Sequence, residues 1–93
     1  MLSVEARIYL RPEDQGGLTR PGFSGMQPSM DINGDLIACK IIDGQEGSRL
    51  NLGEEHDVRI DLPYGEDYVD VLRSGLEFNL NVGGRIIGSG RIL

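Results

Sequence analysis

The chain has one histidine and one cysteine, and their surroundings set the limits of its chemistry. His56 stands beside Glu54, Glu55 and Asp57, side chains that zinc accepts, but a zinc site needs three or four donors converging in space. These four lie in one exposed acidic run at the head of a strand, so no metal site is expected. Cys39 is alone, which excludes an internal disulfide and leaves any thiolate site short of ligands. No Ser–His–Asp or Cys–His arrangement is specified. Neither GxxxxGK[ST] nor GxGxxG occurs. The nearest glycine-rich stretch, VGGRIIGSG with Gly83, Gly84, Gly88 and Gly90, sits between strands rather than before a helix. The DINGD segment (Asp31, Asn33, Asp35) resembles the start of a calcium loop, but its glycine is misplaced and no glutamate closes it. No catalytic residue and no cofactor are expected, and the chain does not read as an enzyme.

What remains is the chemistry of contact. Eight of the nine bases are arginine, the residue suited to forked and stacked contacts. Arg20, in a glycine-rich loop, and Arg85, beside paired glycines, are the candidates for a phosphate backbone. Leu18, Phe23, Glu54 and Glu55 are the candidates for a protein interface: two apolar points in the same loop and an acidic strand flank. The formal net charge of −6 decides between them. Residues 51–70 hold seven acids and one base, so the excess charge is concentrated there. Nucleic-acid binding through phosphates needs a positive field. A protein partner is therefore the expectation, with RNA as the alternative.

These residues must be positioned by strands. Residues 3–10 alternate, with Val4, Ala6, Ile8 and Leu10 on one face and Glu5, Arg7 and Tyr9 on the other. Residues 12–26 read as a long shaped loop, in which Phe23 is either a plug for the core or a binding point. A strand over 27–32, the Asn33-Gly34 turn and a strand over 35–43 form a hairpin. Residues 56–62 alternate up to Pro63, and 69–72 allow a brief strand. Leu76, Phe78, Leu80 and Val82 face inward, opposite Glu77, Asn79 and Asn81, and Gly83-Gly84 turns the chain into a last strand over 85–93. No stretch carries a helical stripe. Ninety-three residues make one domain with one modest core. Six or seven short strands in such a chain predict an all-β fold: a small closed antiparallel barrel of about six strands, which hides its edges, or a small sandwich. No apolar run approaches the roughly 20 residues that cross a membrane. The amino terminus lacks the apolar centre of a signal peptide. Cytoplasm is the expected location.

Two segments carry a likeness to a known family. Gly75–Leu93 (GLEFNLNVGGRIIGSGRIL) resembles the end of the third domain of bacterial elongation factor Tu through Gly75, Leu76, Phe78, Gly83, Gly84, Arg85, Gly88 and Gly90. Val4–Leu10 is similar to that family's opening strand. Glu13-Asp14-Gln15-Gly16-Gly17, followed by Pro21, Phe23, Gly25 and Pro28, and then Leu52-Gly53-Glu54, continue the resemblance in order. It implies a free-standing six-stranded barrel with a translation-related role in binding other macromolecules, without the GTPase domain. The family's basic residues near tRNA fall at Leu18 and Thr19, and its Y-R step at Met26-Gln27, which weighs against tRNA. A protein-docking module is the expected function. An RNA- or tRNA-associated accessory factor and a stable barrel of other use are the alternatives. With no phosphate loop and no metal ligands, calorimetry with GTP and magnesium should give no saturable heat. A clear binding isotherm would refute that expectation.

Overall fold

The computed structural model describes residues 1–93. Nine strands follow one another: β1 (Leu2–Leu10), β2 (Gly22–Phe23), β3 (Ser29–Ile32), β4 (Asp35–Ala38), β5 (Lys40–Ile42), β6 (Arg49–Leu50), β7 (Glu55–Leu62), β8 (Glu77–Val82) and β9 (Arg85–Ile92). Seven of them form one antiparallel sheet in the order β4-β3-β8-β9-β1-β7-β5, and β2 and β6 form a separate pair. The alternation written in the sequence puts Ala6, Ile8 and Leu10 of β1, Val58, Ile60 and Leu62 of β7, and Phe78 and Leu80 of β8 into one core. The small sheet closes on the same core through Leu50, which is fully buried. No helix is long and apolar enough to cross a membrane.

Two turns are set by backbone chemistry. Asn33 and Gly34 have φ of 52° and 97°, and Gly83 and Gly84 have 58° and 79°. Two successive positive φ values define the type I′ turn, whose twist matches the strands it joins. The Asp31 carboxylate accepts the Gly34 N–H at 2.8 Å and fixes the first turn.

The closed barrel is not formed, and with it the likeness to the third domain of elongation factor Tu is overturned. The sheet is an open half-barrel of seven strands whose edges, β4 and β5, stand 7 Å apart, with the two-stranded sheet beside it. The cause lies at residues 28 and 39. The continuous strand expected over 35–43 is broken at Cys39 into β4 and β5. β4 pairs with β3, and β5 pairs with β7 at the far edge. At the break, the Pro28 carbonyl accepts the Cys39 N–H at 3.3 Å and also the Cys39 thiol at 3.3 Å. Proline has no N–H to return, so the ladder stops there. The same deficit starts β3 at Ser29 rather than at residue 27. Openness does not bare the core: the accessible surface of 5338 Å² is what size scaling gives for a closed globule of this mass, about 5,300 Å².

Two other expectations change. The brief strand at 69–72 is absent: a 3₁₀ turn over Gly65–Tyr68 runs on into Val71 and Leu72 N–H bonds to the Tyr68 carbonyl, which lays Leu72 on the core. The 12–26 loop contains a 3₁₀ turn at Glu13–Gln15 and then β2.

Close packing at β9 depends on Gly90. It lies between Phe78 and Ile8 in the inward row, and a Cβ there would sit 2.5 Å from Phe78 Cζ and 3.0 Å from the Arg7 carbonyl oxygen. The ring occupies the space of the missing side chain. Gly90→Ala should cost about 1–3 kcal/mol through overpacking. Phe78→Ala should cost about 3–5 kcal/mol through the cavity it leaves. Denaturant unfolding of both variants measures this, and wild-type stability in either one would refute the packing described.

Candidate functional site

β7 and β9 both run antiparallel to β1, so each begins where β1 ends. The 12–26 loop also leaves from that end. Topology therefore gathers Leu18, Arg20, Phe23, Glu54, Glu55 and Arg85 at one end of the half-barrel. The Arg11 N–H donates to the Ile87 carbonyl at 2.8 Å, the Gly53 N–H to the Leu10 carbonyl at 2.7 Å, and the Leu18 N–H to the Arg11 carbonyl at 3.3 Å. These bonds tie the three segments to the end of β1.

The six residues differ in what they offer. Leu18 is half-buried against the core, so it belongs to the fold as much as to the surface. Phe23 is not a plug. It is 51% exposed on β2, directly opposite Arg49 of β6. The plug position is taken from β6 and the loop, by Leu50 and Met26, both buried. Arg20, Glu54, Glu55 and Arg85 are exposed. Acids and bases are thus mixed at this end rather than separated by sign.

His56 heads no metal site: its Nε2 lies 2.9 Å from the Asn51 carbonyl oxygen, a contact within the turn that leads into β7. No three of the chain's His, Cys, Asp and Glu side chains converge. Burial pushes the Cys39 thiol up to about 12, so it stays protonated and unreactive.

The one cavity lies on the face of the sheet turned away from the core and reaches the loop end at Tyr9 and Glu55, with a volume of about 670 Å³. Cross-strand register builds its floor from two rows. Asp31, Asn79, Ser89, Tyr9 and Glu55 are successive partners across β3, β8, β9, β1 and β7. Glu77, Arg91 and Arg7 form the row beside it, and Asp57 continues that row beyond the cavity lining. The Tyr9 hydroxyl donates to Gln15 at 2.9 Å, which holds the ring at the loop end of the groove. Arg7 makes a two-pronged contact with Asp57, Nε to Oδ1 at 2.7 Å and a terminal nitrogen to Oδ2 at 3.2 Å. Sequence periodicity identifies Arg7, Tyr9, Glu77 and Asn79 as outward residues. It does not say that β8, β9 and β1 are neighbours, and that adjacency is what turns outward residues into a groove.

No family model matches this chain. The translation-related role that the elongation factor likeness implied therefore loses its basis along with the closed barrel. What the chain does has to be argued from its own surface.

The Arg7 hydrogen bonds hold the Asp57 carboxyl below its ordinary value, and the same contact raises the Arg7 guanidinium. A carboxyl depressed in the folded state contributes stability above its unfolded pKa, near 3.9, and loses it as pH falls through the lower folded value. Arg7→Gln should move the Asp57 midpoint up toward about 3.9 in a carbon-detected NMR titration. An unchanged midpoint would refute the pairing.

Proposed function

We propose that the chain is a non-catalytic protein-binding module that docks through the end of the half-barrel carrying Phe23, Glu54 and Glu55. The observation that supports this reading is the placement of Phe23, a half-exposed phenylalanine on a short sheet whose other strand is anchored in the core by Leu50. An aromatic ring held on a fixed backbone spends little entropy on binding and is the kind of residue that dominates interface energetics. The acidic flank at Glu54 and Glu55 favours a basic partner and speeds its approach. The lone, buried thiol suits the reducing cytoplasm.

Arg20 and Arg85 share this end, so RNA is the alternative occupant. Glu54 and Glu55 lie among them and oppose a phosphate backbone. The test uses capture from a cytoplasmic extract, with and without nuclease, on wild type and Phe23→Ala. The expected result is one protein retained after nuclease treatment and lost with Phe23→Ala, whose melting curve stays that of the wild type. At a hot spot, truncation costs about 2 kcal/mol or more, roughly thirty-fold in affinity. Submicromolar RNA binding that weakens steeply with salt and is lost on Arg20→Gln or Arg85→Gln would replace the protein reading with the RNA one.

A further inference from the structure

The groove on the outer face is a second site, away from Phe23; it shares Glu55 with the docking end but does not rest on the docking reading. Its centre is Arg91. Register sets Arg91 directly opposite Arg7 on β1 and opposite Glu77 on β8. Directly opposed side chains have Cβ atoms about 4.5–5.5 Å apart, and like charges there repel. Arg7 is neutralised by Asp57. Arg91 is not neutralised: the chain's ion pairs are Met1 with Glu66, Arg7 with Asp57 and Arg59 with Asp61, and none includes Arg91 or Glu77. Arg91 also donates no side-chain hydrogen bond, although it is among the residues lining the cavity.

Beside the Arg7–Asp57 pair, Arg91 keeps a forked set of N–H donors without an acceptor. A second carboxylate is the group that geometry accepts best, because its two oxygens match the fork. A bare anion does not suit the rest of the groove. Glu77 lies on one side of the arginines, and Glu55 lies beyond Tyr9 on the other. These carboxylates repel an anion and attract an ammonium or amide N–H. Ser89 and Asn79, in the neighbouring row, add neutral donors and acceptors. The volume of about 670 Å³ is in the range of small-molecule pockets and far exceeds an inorganic ion.

The geometry points to a ligand that carries a carboxylate with an N–H group a few bonds away, its carboxylate on Arg91 and its N–H on Glu77 or Glu55. A free amino acid and the carboxyl-terminal end of a peptide share this chemistry. The unpaired Arg91 gives the site its affinity for the carboxylate, and the flanking acids give it selectivity against simple anions.

The test is a titration of the full chain followed by amide NMR shifts, with glycine, acetylated triglycine, glycinamide, the acetylated triglycine amide and acetate. Glycine tests for a free amino acid and acetylated triglycine for a peptide end. At least one of the two should bind saturably, shifting the amides of Arg91, Ser89, Asn79 and Tyr9. Its amide-blocked counterpart and acetate should bind at least tenfold more weakly. Arg91→Gln should reduce binding at least tenfold, while Arg73→Gln, which removes the same charge from an exposed turn, should not. Should Arg91→Gln lose the dispersed spectrum of the folded chain, Glu77→Gln carries the test through a reduced preference for the N–H-bearing ligand over acetate. The proposal is overturned by the absence of saturable shifts with both free carboxylates, by equal binding of the blocked forms or acetate, or by an Arg91→Gln variant that binds as the wild type does.

Discussion

Pro28 offers a carbonyl and no N–H, and the course of the main sheet depends on that deficit. Ser29 and Ala38 are the last paired residues of the β3–β4 ladder. One step further, the Pro28 carbonyl receives both the N–H and the thiol of Cys39 and gives nothing back. The chain bends away and enters the opposite edge as β5, against β7. Past the bend, the Gly25 N–H donates to the Ile41 carbonyl at 2.6 Å and the Ile41 N–H to the Met26 carbonyl at 3.0 Å. The two edges of the sheet are therefore joined by one residue of covalent chain, while the ladder itself stays open. An exposed edge invites pairing with other chains. A bend, a covering segment and a very short strand at each edge all limit that invitation.

Much of this was legible in the residues. The alternations in β1, β7 and β8 place the core-facing side chains correctly except at Val82, which lies exposed beside the Gly83-Gly84 turn; one residue of slip would turn Ile8, Ile60 or Phe78 out to water. Asn33-Gly34 and Gly83-Gly84 announce their turns because few other pairs tolerate two positive φ values. The break at Cys39 was not legible. Leu36, Ile37, Ile41 and Ile42 all have strand character, and what interrupts them is a proline eleven positions away that only the tertiary pairing brings opposite. The turn over 65–72 was obscured for a similar reason: Val69 and Val71 have strand propensity but remain exposed, while Leu72 is buried in the core and Tyr68 packs against it. Propensity yields to a single burial event there.

The candidate residues show the same division. Chain order separates Glu55 and Arg85 widely, yet the antiparallel pairing of β7 and β9 to β1 returns both to one end, where the loop carrying Phe23 also leaves β1. The groove depends even more on pairing. Arg91 reads as an ordinary charged residue near the end of a strand until register places it between Glu77 and Arg7. Periodicity reports which face a residue takes, and only strand order reports its neighbours.

Gly90 and Phe78 have a consequence beyond their packing in β9. The ring and the absent side chain occupy a single volume, bounded behind by the Arg7 carbonyl, which cannot move without shifting β1. The two positions are therefore not independent letters of the sequence. A larger residue at 90 is compatible with this sheet only if 78 shrinks in compensation, so related sequences that keep the fold should change the two together or not at all. Because Arg91 follows Gly90 directly on β9, a backbone shift that relieved crowding at 90 would also displace Arg91 in the lining of the outer groove.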